Sequence, residues 1–146
     1  MITNFHTHTK YCDGHDSVKT IVKKAIEIGL NQIGFSSHSP LPLKSEWSLS
    51  SKEQLKNYLT DIDTAIKKYS SEIEIFKGLE ADYITGLTDN FKQIKNDYEL
   101  DYLIGSVHLV RVPNTNEVWF IDGKDTLYIE GIKKYFSSDI NLREVN

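Results

Sequence analysis

The sequence predicts an α/β fold built around a parallel sheet. Short apolar runs alternate along the chain with amphipathic helical stretches, as successive βα units require. The runs are apolar on consecutive residues, the pattern of strands covered on both faces. Size agrees with this: 146 residues, 39% apolar and 26% charged, make one domain with material for a core.

Each element follows in order. A first strand is expected at residues 2–5, ending at the first histidines. Val18, Ile21, Val22, Ala25 and Ile26 then recur at the i, i+3, i+4 spacing of one buried helical stripe. Asp16 or Ser17 can cap that helix, Asp16 being the favoured residue, and Gly29 can end it in the left-handed conformation. Residues 33–35, Ile-Gly-Phe, suit a buried strand. Ser50 with Glu53 three residues on makes a capping-box pattern, and Leu55, Leu59, Ile62, Ile66 and Tyr69 mark the inward stripe of a long helix. Residues 73–76 read as a third strand closed by Gly78, residues 87–96 as a weaker helix, and residues 102–107 as a fourth strand. Residues 118–121 form a further strand or a hairpin arm, and Tyr128, Ile129, Ile132, Tyr135 and Phe136 mark a last helix.

Composition excludes several functions. With 17 basic against 21 acidic residues the formal charge is −4, the wrong sign for a dedicated nucleic-acid binder. A mean hydropathy of −0.41 argues against a membrane span, and 11% aromatic residues argue against a disordered chain. The single cysteine, Cys12, cannot form an internal disulfide and reads as a buried thiol suited to a reducing compartment. No basic stretch followed by an apolar run opens the sequence, so the expected location is the cytoplasm.

The five histidines carry the chemical signal through their positions. His6-Thr7-His8 closes the first strand, and period-two alternation points both rings to one side. His38 comes three residues after the second strand, Glu80 follows the third, and His108 follows the fourth. Four successive βα units thus deliver ligand-type side chains from the carboxyl ends of their strands, where sites of parallel sheets gather. Imidazoles mixed with carboxylates suit zinc, manganese or iron. In the loop after His8, Asp13 is the expected further ligand, with His15 behind it. Glu80 has two oxygens and can bridge two cations, and His38 joins it among the candidate catalytic residues.

Several of these strings resemble the PHP (polymerase and histidinol phosphatase) family of metal-dependent phosphoesterases, and most of all its histidinol-phosphate phosphatases. They are His6-Thr7-His8-Thr9 with Cys12-Asp13-Gly14, then Gly34-Phe35-Ser36-Ser37-His38-Ser39-Pro40-Leu41-Pro42, then Gly78-Leu79-Glu80-Ala81-Asp82-Tyr83 and Asp101-Tyr102-Leu103-Ile104-Gly105-Ser106-Val107-His108. The resemblance implies a distorted (β/α)7 barrel holding up to three divalent cations, of which this chain carries about the first four βα units. It implies His6, His8, Asp13 or His15, His38, Glu80 and His108 as metal ligands. Family members are longer, and their later strands add a histidine, an Asp and His pair, and a basic residue for the substrate phosphate. Here no histidine follows His108, and the only arginines, Arg111 and Arg143, match no family phosphate contact. Residues 1–146 therefore read as a single PHP domain incomplete at its C-terminal side, with an open barrel edge that a second copy could cover.

The activity so implied is hydrolysis of L-histidinol phosphate in histidine biosynthesis by a hydroxide bridging the bound metals. Trp47, in the stretch from Glu46 to Ser50 that resembles a loop of those phosphatases, is a candidate for the substrate pocket. Two other functions share the ligands. A PHP nuclease would need basic and aromatic clusters, whereas Lys67-Lys68 and Lys133-Lys134 read as solvated helix faces. A catalytically silent metal-binding module is the other. The expected partner is a small phosphorylated substrate, with neither nucleic acid nor membrane.

Overall fold

In the computed structural model, which describes residues 1–88 and 90–136, strands and helices alternate as the sequence predicts. The order is β1 (Thr3–Asn4), α1 (Val18–Glu27), β2 (Gln32–Phe35), α2 (Lys52–Tyr69), β3 (Glu74–Asp82), α3 (Phe91–Asp97), β4 (Tyr102–Ser106), β5 (Leu109–Arg111), β6 (Val118–Phe120) and α4 (Asp125–Phe136). The first four strands form one curled parallel sheet in the order β1-β2-β3-β4. β5 and β6 form a separate antiparallel hairpin, which settles residues 118–121 as a hairpin arm.

Strand β3 departs most from expectation. It does not close at Gly78 but runs nine residues to Asp82. Its first half, Glu74 to Lys77, pairs with β2, and its second half, Gly78 to Asp82, pairs with β4. Lys77, Gly78 and Glu80 break the apolar run, yet neighbours on either side supply the ladder that keeps the strand extended. The shift of pairing from one edge to the other staggers the sheet and curls it.

The helix caps also differ in detail. Ser17, not Asp16, caps α1, its hydroxyl accepting from Thr20 N–H at 3.1 Å. Helix α1 ends as expected at Gly29, whose φ of +80° is the left-handed conformation that spares a glycine any Cβ strain. Helix α2 is capped one residue later than the Ser50–Glu53 pattern suggests. Ser51 accepts from Gln54 N–H at 3.1 Å, while Ser50 N–H donates to the Gln54 side chain. The weaker helix is likewise displaced, to Phe91–Asp97.

The core lies between the outer face of the sheet and α1 and α2. It joins Val18, Val22 and Ala25 to Ile33, Phe35, Ile75 and Leu79, and to Leu55, Leu59 and Ile62 of α2. Tyr58 is wholly buried in it, and its hydroxyl donates to Gly78 O at 2.9 Å while accepting from Ser37 N–H at 3.2 Å. One side chain of α2 thereby pins both the segment leading to His38 and the strand carrying Glu80. Tyr58→Phe strands two buried backbone groups and is expected to cost about 2 kcal/mol, readable as a lower urea midpoint at unchanged m-value.

The inner face is built differently. Tyr102 lies across Gly34 and Gly78, where a Cβ would come within 2.4 and 2.5 Å of the Tyr102 side chain. Its hydroxyl donates to Phe5 O at 2.8 Å, and its ring meets Phe5 edge-on at 5.6 Å. The fourth strand is thus tied to the first across the concave side.

The hairpin leaves β4 directly, with Ile121 N–H donating to His108 O at 2.8 Å. Helix α4 packs on it through the Trp119 ring, which contacts Tyr128 and Tyr135 and leaves no room for a Cβ at Gly131. Arg111 donates to Asn116 Oδ1 at 3.3 Å. The Phe136 side chain and Arg143 lie outside the described residues. Among the described residues, no helix is long and apolar enough to cross a membrane.

Candidate metal centre

The strand ends converge on Glu80. Pairing continues beyond the strands themselves: Ser36 N–H donates to Thr7 O, Glu80 N–H to Ser37 O, and Ser39 N–H to Glu80 O. These bonds carry the sheet register on to the histidines. Within β3, period-two alternation puts Phe76, Gly78, Glu80 and Asp82 on the concave face. Glu80 is therefore a strand residue rather than one that follows the strand.

Four imidazoles surround its carboxylate. His6 Nε2 and His8 Nε2 each lie 2.9 Å from Oε2, confirming that the two rings face one side. His38 Nδ1 stands 3.6 Å from the same oxygen, and His108 Nε2 stands 3.5 Å from Oε1. Glu80 and His38 are only 3% and 5% exposed, so the centre of the cluster is buried, while the His6 side chain at its edge is 56% exposed.

Asp13 reaches the cluster from the loop after β1. Its Oδ1 lies 2.7 Å from His8 Nδ1 and its Oδ2 lies 3.7 Å from His38 Nε2. The loop can fold back this far because residue 14 is glycine, where a Cβ would sit 2.6 Å from Thr9 N and 2.7 Å from the His8 carbonyl carbon. Gly14→Ala must displace that backbone and Asp13 with it. It is expected to weaken cation binding about 10-fold, measured by isothermal titration with Mn²⁺ or Zn²⁺. His15 is exposed and belongs to none of the donor groupings found among the described residues.

Trp47 is half-buried against the cluster, its ring 4.5 Å from that of His38 and 5.5 Å from that of His108. Phe120 of β6 adds a second aromatic wall 5.9 Å from Trp47. Two carboxylates were not singled out by sequence. Asp82 Oδ1 lies 2.7 Å from His108 Nδ1, and Asp122 Oδ2 lies 3.7 Å from His108 Nε2. The Glu-x-Asp spacing in an extended strand was the available signal for Asp82. No local pattern marks Asp122, which the hairpin brings in.

Electrostatics favour ligand-ready protonation states for much of the cluster. Burial works to raise Glu80, but hydrogen bonding from His6 and the electrostatic pull of the His38, His6 and His108 rings hold it below the usual carboxylate range. Asp13 is held low against burial by His8 and Cys12. Burial lowers His38 against the opposing pull of Glu80 and Asp13, favouring the form in which one ring nitrogen keeps its lone pair. His8 is the exception: hydrogen bonding to Cys12 lifts it to about 9, with Asp13 adding to the rise and burial opposing it. A cation at His8 must displace that proton.

Three groupings place donor atoms within 4.8 Å of one another: His6, His8 and Glu80; His8, Asp13 and His38; and His38, Asp82 and His108. Nitrogen and carboxylate oxygen are the donor types that zinc, manganese and iron accept. His38 Nδ1 and Asp82 Oδ2 are moreover buried without a hydrogen-bond partner, as atoms awaiting a further ligand would be. The donor set fits divalent cations.

Family comparison agrees with this reading. The profile of the PHP domain matches residues 4–143, nearly the whole chain. The chain belongs to the PHP-domain family. Its curled sheet is a partial PHP barrel, in line with the resemblance. A protein named as a probable histidinol-phosphatase from Deinococcus radiodurans is 30% identical over 107 residues, covering 70% of this chain and 40% of that protein. The histidinol-phosphatase of Bacillus subtilis is 30% identical over 122 residues, covering 75% of this chain and 45% of that protein. A crystal structure of a candidate histidinol phosphatase from Listeria monocytogenes superposes with a TM-score of 0.76 at 25% identity, covering 92% of this PHP chain and 54% of that one. A histidinol phosphate phosphatase from Lactococcus lactis, solved with zinc, L-histidinol and phosphate, superposes with a TM-score of 0.56 at 26% identity, covering 73% and 40%. The PHP chain thus spans about half the length of the relatives it matches, or less.

Proposed function

We propose that this chain is one PHP domain supplying the cation-binding part of a phosphomonoesterase whose substrate is L-histidinol phosphate. The observation that carries the reading is the Glu80 carboxylate, with His6 and His8 on one oxygen and His108 facing the other. With donors beside both of its oxygens, Glu80 would be a ligand shared between neighbouring cations. The names of the relatives and the Lactococcus complex support the substrate.

In this reading His6, His8, Asp13, His38, Glu80 and His108 hold the cations, with His15 outside the shell. The chemistry such cations supply is Lewis acidity towards water and phosphoryl oxygens. Glu80 and His38 occupy the catalytic positions. Glu80 holds an ionised carboxylate at the centre of the cluster, and His38 keeps a neutral ring against it. Trp47 and Phe120 wall one side and offer apolar surface to the substrate's organic part. The net charge of −4 speaks against a nucleic-acid substrate.

The test is phosphate release by the purified chain with added Mn²⁺ or Zn²⁺, comparing L-histidinol phosphate with an aryl phosphate. Turnover that favours histidinol phosphate supports the reading. Bound metal without turnover assigns the chain instead to a silent metal-binding module. Metal content unchanged by His6→Ala would remove the site assignment altogether.

A further inference from the structure

We propose that Asp82 is a positioning residue: it fixes the ring and tautomer of His108 so that Nε2 offers its lone pair beside Glu80. The proposal rests on the cation-binding reading of the cluster above.

Asp82 follows Glu80 by two residues on β3 and shares its concave face. It is 1% exposed, and a carboxyl group so deep needs hydrogen-bond compensation. His108 supplies it twice. Oδ1 accepts from the His108 backbone N–H at 2.9 Å and lies 2.7 Å from His108 Nδ1. That oxygen accepts from the backbone N–H, and with the ring donating to it as well the proton of the second bond sits on Nδ1. An imidazole whose ring proton is the one donated from Nδ1 keeps its lone pair on Nε2, the atom 3.5 Å from Glu80 Oε1. The main-chain bond sets where the residue starts, and the ring bond sets how the ring turns. Asp82 itself is braced from behind: the Thr88 hydroxyl donates to Asp82 O and accepts from Ile84 N–H at 2.7 Å. Carboxylates that hold the far nitrogen of a ligating histidine in this way raise its basicity and restrict its orientation.

Asp82 also has a second oxygen, Oδ2, that is buried and unpartnered, and the His38–Asp82–His108 grouping admits it as a direct ligand. The two roles differ in a mutant cycle. Acting through His108, Asp82→Ala lowers Zn²⁺ affinity roughly 10- to 100-fold by isothermal titration, but by less than about 2-fold in a His108→Ala background. In the metal-free chain, long-range ¹H–¹⁵N correlation of the imidazoles shows His108 protonated on Nδ1. Asp82→Asn, whose carbonyl can still accept, keeps that tautomer, whereas Asp82→Ala loses it. Should Asp82→Ala fail to fold, Asp82→Asn in both backgrounds carries the test, and the tautomer is still read directly. Equal losses with and without His108 would make Asp82 a ligand and overturn the proposal. So would a His108 protonated on Nε2 in the unsubstituted chain. If His108→Ala alone leaves Zn²⁺ affinity unchanged, the cation reading of His108 fails instead, a result distinct from the tautomer measurement.

Discussion

Glu80→Gln is expected to lower divalent-cation affinity by roughly 100-fold and to abolish metal-dependent phosphate release. Gln keeps the shape and one acceptor oxygen but removes the charge that four imidazoles share. The size follows from the whole: a four-ligand zinc site is worth about 10–16 kcal/mol, so one ligand contributes about 3 kcal/mol, or two decades of affinity. Because Glu80 faces histidines from β1, β2 and β4 ends alike, the loss should extend to every cation in the cluster. Elemental analysis after dialysis should find Glu80→Gln depleted of metal where the parent chain retains it. Retention of the full complement would mean that the carboxylate is no bridge.

The largest effect on stability is expected from Gly78→Ala. The new Cβ would stand 2.5, 2.6 and 2.8 Å from three Tyr102 ring atoms, none of which can retreat without lifting the ring off the sheet. Lifting it also breaks the Tyr102 bond to Phe5 O and the aromatic contact beside it. Overpacking of this kind costs about 3 kcal/mol, a melting temperature roughly 6–12 °C lower for a chain of this size. Gly34→Ala meets the Tyr102 hydroxyl and Phe5 in the same way and should fall in the same range. The control is Tyr102→Leu, which should restore much of the loss in the Gly78→Ala background. A double variant no more stable than Gly78→Ala would trace the cost elsewhere.

Much of this was legible in the residues, for identifiable reasons. His6 and His8 could be assigned to one side because period-two geometry is local. The helix stripes of α1 and α2 were legible because the same residues that repeat in sequence fill the core, Val18, Val22, Leu55 and Ile62 among them. What escaped depends on partners distant in sequence. Gly78 looks like a strand end until Tyr102 is seen lying over it, and ending the strand there hid the alternation that places Asp82 beside Glu80. The three-residue β5 carries no periodicity long enough to read, and only its pairing with β6 defines it. The caps shifted by one residue because Ser50 and Ser51, like Asp16 and Ser17, are chemically interchangeable in that role, and backbone geometry chooses between them.

The sheet's spatial order, β1-β2-β3-β4, is also its order along the chain. During synthesis from the N-terminus, each new strand can therefore add to an edge already formed, and none must insert between strands that have paired. The tie from Tyr102 to Phe5 spans 97 residues and joins the fourth strand of the sheet to the segment that follows β1. It cannot form until β4 has left the ribosome, and His108 emerges only six residues behind Tyr102. Fastening these four strands and bringing the fourth imidazole to Glu80 thus become nearly one event. A nascent chain arrested before Tyr102 would display Glu80 and three of its imidazoles on an unfastened sheet.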